Sequence, residues 1–586
     1  MKQFFKFMFA SMLGFFLSIF ILGFIGFMFI MMSVSFLSVQ PEVDVRPNSV
    51  LEIKLDRPIP ERTGYMNDSG FLFPEFKKVL GLNDIIECIQ SAKHDKDIKG
   101  IFINLGMITY GDFTTLDAIR KELIDFKESG KFIVAHGNDI SQSGFFLACA
   151  ADEIYMTPTG SFDLRGFSAE LMFLKGTLEK LKIEPQIFRA GKFKSAVEPL
   201  TNAKMSDENK IQYEELLTSV YKYFLNEIST SRGVEVAILD SLAKNYGIRS
   251  NEDAVKFGLV DSLLYKDEVT ELIKDKIGRK NTARLVTLKD YSYSTTGNSN
   301  SSGSKIVVIY ATGEIHEGIG DEYSIGAENI VKALRQAGDN SSVKAIVMRV
   351  NSPGGSALTS DLIWREVTNA KKKKPVVVSM GSVAASGGYY ISCAADYIVA
   401  EPATLTGSIG VFGIALNMQN FYKDLLGITF DEVKTGDFAG MGSTTRPYTA
   451  EEISIVMKRI QFIYDTFVNR VASHRNMTYE QVDSIAQGRV WTGIDAKEIG
   501  LVDELGGLDV AVQKAAEKAG ITKYRIVEYP GIRTAFEKIM NALSEDLEST
   551  YLQFKLGDNY KYYKELEKVI HLNGIQTRML FDIYIN

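Results

Sequence analysis

The sequence predicts an α/β protein built as two tandem repeats of βαβ units and preceded by one transmembrane helix. Three observations carry that reading. An unbroken apolar segment opens the chain, an ordered set of phrases recurs at a nearly constant spacing, and short β-branched runs alternate with amphipathic stretches. At 586 residues the chain exceeds one ordinary domain. Its 45% apolar and 24% charged content suits a globular protein with sizeable cores, and a net charge of −7 argues against nucleic acid as a partner. The one dense basic cluster, residues 371–374, stands before Pro375-Val376-Val377-Val378 and reads as a solvated turn entering a strand.

The N-terminal element comes first. Lys2 and Lys6 are followed by no charged residue until Glu42, and residues 7–32 are almost wholly apolar. A spanning helix needs about 20 such residues, whereas the apolar part of a cleavable signal runs to only about 7–15. Residues 1–40 therefore read as a short cytoplasmic N-terminus and an uncleaved anchor. With the lysines before it and Glu42 and Asp44 after it, the rest of the chain is expected outside the cytoplasm.

The duplication follows from order as much as from likeness. Cys149-Ala150-Ala151-Asp152, with Thr159-Gly160-Ser161 after it, returns as Cys393-Ala394-Ala395-Asp396 and Thr406-Gly407-Ser408. Gly258-Leu259-Val260-Asp261 returns as Gly500-Leu501-Val502-Asp503, and Ile98-Lys99-Gly100-Ile101 is echoed by Val343-Lys344-Ala345-Ile346. A first repeat over 41–290 and a second over 305–524 result, joined by a polar, serine-rich stretch at 291–304 that reads as a flexible linker. Residues 525–586, rich in Lys, Glu and Tyr, read as a helical extension with no counterpart in the first half. In the second repeat, strands are expected at 306–310, 345–350, 376–380 and 397–400, with helices at 327–337, 360–370 and 451–474. Strands separated by helical patterns of this length argue βαβ crossovers. The three cysteines, Cys88, Cys149 and Cys393, show no metal-site spacing, and the matching pair Cys149 and Cys393 reads as small buried core residues.

Two glycine-bearing phrases follow expected strands: Asn351-Ser352-Pro353-Gly354-Gly355-Ser356, and Gly381-Ser382-Val383-Ala384-Ala385-Ser386-Gly387-Gly388-Tyr389-Tyr390. Strand, tight turn and helix is the arrangement that exposes a small nucleophile and leaves backbone N–H groups free for an oxyanion. A serine nucleophile needs a base. The five histidines, His94, His136, His316, His474 and His571, all lie away from Ser386 in sequence and in ordinary polar contexts, although a Ser-His-Asp arrangement assembled from distant segments stays open. A lysine serves instead if burial lowers its pKa from about 10.4 to about 7–8, at a cost of about 3–4 kcal/mol. Gly191-Lys192-Phe193-Lys194-Ser195-Ala196-Val197-Glu198-Pro199 is the setting best suited to this.

Alignment of the halves gives complementary losses. Ser386 faces Gln142, Gly387 faces Ser143, and Gly354-Gly355 faces Thr109-Tyr110; in the other direction Lys194 faces Ala439. One half keeps the serine and the glycine turns, the other keeps the lysine, as a dyad shared between repeats would require.

These phrases resemble the signal peptide peptidase A (protease IV) family in its long, tandem-repeat form. The likeness rests on Lys194-Ser195-Ala196-Val197-Glu198-Pro199, Asn351-Ser352-Pro353-Gly354-Gly355, Ser386-Gly387-Gly388-Tyr389 and Thr406-Gly407-Ser408-Ile409-Gly410. It implies two Clp/crotonase-like repeats and a serine protease with Ser386 as nucleophile and Lys194 as general base and then general acid. It further implies an oxyanion hole from Gly387 and one of Gly354 and Gly355, Ser408 hydrogen-bonded to the lysine, and neither metal nor cofactor. The implied substrates are cleaved signal peptides and other hydrophobic or unfolded segments. The implied setting is a homotetramer held in the bacterial inner membrane with its catalytic part in the periplasm. A crotonase-like acyl-CoA enzyme and a non-catalytic membrane scaffold are the competing readings.

Overall fold

In the computed structural model the described residues are 2–38, 45–67, 76–106, 111–278, 284–295, 303–531, 552, 555 and 575–579. The N-terminal helix, Lys2–Ser38, contains a stretch, Gln3–Ile25, with mean hydropathy 2.3 and no part of it buried against the protein. It is long and apolar enough to cross a membrane; phenylalanines such as Phe4, Phe7 and Phe20 stand exposed on it.

The first repeat contributes β1 (Ser49–Ile53), the hairpin β2 (Gly64–Asn67) and β3 (Phe76–Val79), then β4 (Ile98–Leu105), β5 (Phe132–Gly137) and β6 (Glu153–Met156). β7 (Glu184–Ala190), β8 (Ser262–Leu263) and β9 (Arg284–Thr287) complete it. The second repeat opens with β10 (Lys305–Thr312), β11 (Glu314–His316), β12 (Ser324–Gly326), β13 (Val343–Ser352) and β14 (Gly354–Ser356). β15 (Val376–Ala385), β16 (Tyr397–Ala400), β17 (Leu405–Gly407) and β18 (Val411–Asn417) follow. The last strands are β19 (Val490–Thr492), β20 (Glu504–Leu505), β21 (Arg525–Tyr529) and β22 (Ile575–Arg578).

The duplication is visible strand for strand. In the first repeat the parallel order is β9-β1-β4-β5-β6-β8; in the second, β21-β10-β13-β15-β16-β20 is parallel throughout, and β17 and β19 extend it from β15. Both faces of each sheet are covered. β4 buries Ile101 and Ile103 against the helices Leu82–His94 and Phe113–Lys127, and Phe102 on the other face against Lys266–Lys276. A strand covered on both sides reads as a nearly continuous apolar run, which is why 98–103 and 343–348 were conspicuous in the sequence.

The expected strands and helices of the second repeat all form, most of them longer than the sequence pattern marks; the helix expected at 451–474 is Ala450–Arg475, with Thr449 and Glu452 making a capping box. Two boundaries are corrected. The linker expected at 291–304 starts too early, because residues 291–295 complete the helix Leu288–Thr295 and Tyr291 is buried in the first core. Its remainder at 296–302 lies outside the described residues. The extension expected to be helical from 525 begins with a strand, β21, which pairs with β10 as β9 pairs with β1, so it does have a counterpart in the first half. Arg525-Ile526-Val527-Glu528-Tyr529 alternates with the period of a strand. All three cysteines are buried, Cys149 and Cys393 at equivalent core positions.

A third sheet, β12-β11-β14-β22-β18-β7, draws on both repeats. β7 leaves its own repeat and lies antiparallel to β18, from Ala190↔Val411 to Glu184↔Asn417, with Phe188 and Ala190 sunk in the core of the second repeat. Buried charge also joins the repeats: Arg349 on β13 donates to Glu61 (2.9 Å), and Glu61 accepts from Asn351 as well (2.8 Å). Glu61→Ala leaves the buried Arg349 guanidinium unpaired and is expected to destabilise the chain by about 3–5 kcal/mol, read as a lower midpoint of thermal unfolding. An unchanged midpoint would show that the ion pair is not needed to hold the repeats together.

Candidate active site

β15 and the turn after it place Ser386. The strand ends at Ala385 and the helix Gly387–Ser392 begins one residue later, so Ser386 takes φ 55°, ψ −113°, a conformation that L-residues rarely adopt. The turn is held by Ser386 N–H donating to Gly407 carbonyl (2.8 Å) and by Tyr390 N–H donating to Ser386 carbonyl (2.8 Å). A side chain at Gly387 would meet Ser360 Oγ at 2.7 Å, and one at Gly388 would meet Ser352 carbonyl at 2.6 Å. These glycines let the helix start close against the Asn351–Gly355 turn.

Lys194 arrives from the other repeat. The β7–β18 ladder sets the turn after Ala190 beside the segment that follows β17. Gly191, at φ 105°, passes so near Gln487 that a Cβ would lie 2.6 Å from its carbonyl, and Phe193 N–H donates to that carbonyl (2.8 Å). Downstream, Glu198 accepts from Ser206 N–H (3.1 Å) and Asn209 Nδ2 (3.0 Å), which ties the Lys194–Pro199 phrase to the helix Asp207–Arg232.

The lysine head group is enclosed. Lys194 is 1% exposed, and its Nζ lies 2.8 Å from Ser386 Oγ, 3.0 Å from Ser408 Oγ and 3.1 Å from Ser408 carbonyl. The Phe412 ring is 6.0 Å away, and the bare backbones of Gly410 and Gly488 close the channel, since a Cβ on Gly488 would lie 2.7 Å from Lys194 Cβ. Burial pushes the Lys194 pKa down to about 7, with no carboxylate among the described residues holding the charge. A neutral amine has two N–H bonds and one lone pair. The two oxygens of Ser408 can take the first two, which aims the lone pair at Ser386. Such an amine can accept a hydroxyl proton at neutral pH.

Ser386, Lys194 and Ser408 thus meet, and Gly387 adjoins them. Gly354 lies against Gly387, since a Cβ on it would stand 2.7 Å from Gly387 nitrogen; its own N–H donates to Ser352 Oγ (3.1 Å). Gly355 sits one residue on, in register with Ile315 and Thr577. The described histidines lie elsewhere. His94 ends the helix Leu82–His94, His136 hydrogen-bonds Leu264 carbonyl, His316 the Glu317 carbonyl and His474 the Arg470 carbonyl, and none of the four hydrogen-bonds Ser386; His571 lies outside the described residues. Among the described residues no group of three or more His, Cys, Asp or Glu side chains could hold a metal.

The equivalent place in the first repeat has become structural. Gln142, where the second repeat has Ser386, is buried and accepts from Arg165 and Gly166 N–H (both 3.0 Å) while donating to Gly166 carbonyl (3.1 Å). Thr109-Tyr110, opposite the glycine pair, lies outside the described residues. Two parts of the site were not read from the sequence: the Gln487-Gly488 turn, both residues at positive φ, and β22. Positive φ at Gln487 has no signature in a single sequence, whereas the alternation of Ile575, Thr577 and Met579 is one that could have been found.

Residues 125–279 and 368–522 match peptidase family S49, and residues 312–403 match the Clp protease family. The chain is 37% identical over 475 residues to Protease 4 of Salmonella typhi, covering 79% of this chain and 76% of that one. It is 32% identical over 551 residues to the chloroplastic serine protease SPPA of Arabidopsis thaliana, covering 91% and 78%. A putative protease of Methanocaldococcus jannaschii is 37% identical over 235 residues, 39% of this chain and 75% of that one. With tandem Clp-protease-like α/β repeats and matches of this extent, the chain belongs to peptidase family S49 and is a serine protease.

Proposed function

We propose that the chain is a membrane-anchored endopeptidase with a Ser386/Lys194 dyad, and that it degrades cleaved signal peptides and other apolar or unfolded segments. The observation that carries this is the buried Lys194 amine, 2.8 Å from Ser386 Oγ with its pKa lowered to about 7. Lys194 takes the Ser386 proton as the hydroxyl attacks a peptide carbonyl, then delivers it to the leaving amine. Ser408 orients the amine through both its oxygens. Gly387 and one N–H of the Gly354-Gly355 turn stabilise the oxyanion.

The N-terminal helix supports the rest of the reading. An apolar helix with no protein covering it confines enzyme and substrate to one surface, with Lys2 and Lys6 on the cytoplasmic side and both repeats across the inner membrane in the periplasm. Exposed Leu425, Leu426, Ile428, Phe430 and Val433 offer apolar surface for assembly into a homotetramer.

Labelling with a fluorophosphonate followed by peptide mapping tests the dyad. The label is expected on Ser386, and its rate is expected to rise with pH through an apparent pKa of about 7, because the amine acts only after losing its proton. A label on another serine would overturn the assignment, and no label at all would favour a scaffold or an acyl-CoA enzyme.

A further inference from the structure

We propose that Gln487 is a positioning residue for the general base: its side-chain amide locks the turn that seals Lys194 and Ser408 away from water. The inference rests on the Ser386/Lys194 reading above. The turn at 486–489 holds both residues at once. Gln487 carbonyl accepts from Phe193 N–H (2.8 Å), and Gly488 packs bare against the Lys194 backbone and Cβ. Gly488 N–H donates to Ile409 carbonyl (2.8 Å), Ser408 N–H donates to Arg489 carbonyl (2.7 Å), and Ser408 Oγ lies 3.4 Å from Gly488 carbonyl. The amine and the serine that orients it are thus both hung on one short loop. A shift of that loop separates them or admits water between them.

A turn of this shape does not hold itself. Gln487 takes φ 53° and Gly488 φ 81°, and a non-glycine residue keeps such a conformation only where its surroundings enforce it. The enforcing contacts come through the Gln487 amide. Its Nε2 donates to Asp483 Oδ1 (2.6 Å) and to the Tyr464 hydroxyl (3.1 Å), which accepts from Gln487 N–H as well (3.3 Å). Tyr464, itself buried, donates to Asp483 Oδ1 (2.5 Å). Tyr464 lies on the helix Ala450–Arg475 and Asp483 on Tyr479–Ile485, so two helices fix one peptide unit. The first repeat supplies the contrast. Tyr221, Asp240 and Lys244 stand at the same spacing as Tyr464, Asp483 and Gln487, but Lys244 is exposed and pairs with Asp240 (2.7 Å). The amide is present in the half that receives the catalytic lysine. The charged groups packed about this stretch are engaged away from the amine: Arg189 reaches Lys194 carbonyl (3.5 Å), Lys192 and Arg489 lie over the Phe193 ring, Arg489 pairs with Glu215, and Glu198 is tied to Ser206 and Asn209.

The test is the pH dependence of fluorophosphonate labelling at Ser386 in the full chain, in Gln487→Gly and in Tyr464→Phe. Glycine suits the left-handed backbone and removes only the amide, and phenylalanine keeps the volume of the buried ring, so both variants are expected to fold. In the wild type the labelling rate rises through a midpoint of about 7. In both variants the loosened turn lets water reach the amine, and the midpoint is expected to rise by about one unit. Labelling is then about fivefold slower at pH 7 and nearly equal to wild type at pH 9. A merely structural role would lower the midpoint of thermal unfolding and leave the pH profile in place. A labelling midpoint unmoved in both variants therefore overturns the proposal, and so does a uniform slowing at every pH. Either result, with the wild-type midpoint at about 7, sinks this inference alone. A wild type labelled on another serine, or showing no ionisation near pH 7, sinks the dyad reading with it.

Discussion

Replacing Ser386 by alanine is expected to lower kcat/KM on peptide substrates by about 10⁴–10⁶-fold, and Lys194→Ala by about as much. The double variant is expected to be no worse than either single one, because nucleophile and base act as one unit and the second loss removes nothing that still works. Lys194→Arg sharpens the test. It keeps the positive charge, but a guanidinium stays protonated and cannot take the serine proton, so this variant is expected to be inactive across the pH range. Steady-state kinetics on purified variants, with folding checked by circular dichroism, measure all four. An active arginine variant would make Lys194 a charge holder and move the base elsewhere.

The second large effect is on stability, and its sign is opposite. Burial holds the Lys194 pKa at about 7, against about 10.4 in an unfolded chain. Below about pH 7 the lysine is charged in both states, and the folded state bears the whole desolvation cost. Between about pH 7 and 10.4 the folded chain has lost the proton while the unfolded chain retains it, so stability recovers as pH rises. Lys194→Met removes the buried amine at similar volume. It is expected to stabilise the folded chain by up to about 4 kcal/mol at pH 6, with the gain shrinking toward zero near pH 10. Urea unfolding at the two pH values reads the difference. A variant equally stable or less stable than wild type at pH 6, with no change in the gap at pH 10, would mean that Lys194 carries no burial cost.

The sequence disclosed the parts of this molecule that depend on local pattern. The apolar runs of β4 and β13, the helix Ala450–Arg475 with its capping pair, and the glycine turns around Ser386 each follow from neighbours along the chain. The pairing of Lys194 with Ser386 was legible for a different reason, since only comparison of the two halves displayed Gln142 opposite one and Ala439 opposite the other. What was not legible depends on distant backbone. Nothing near Glu184–Ala190 says that this strand will pair with β18, and the enclosure of Lys194 by Gly488 is a contact between remote segments. In the C-terminal segment an abundance of Lys, Glu and Tyr outweighs two short alternating runs, Arg525–Tyr529 and Ile575–Arg578, that form strands; most of 532–574 lies outside the described residues.

The crossing of β7 into the other repeat makes the two halves unequal debtors to one another. Neither half, cut free, holds both Ser386 and Lys194. In exchange, the proposed base is supplied by the same polypeptide as the proposed nucleophile and cannot be diluted away from it. If Ser386 and Lys194 act as proposed, activity per molecule should therefore stay constant down to concentrations at which any assembly of chains has come apart, since the two residues meet within one chain.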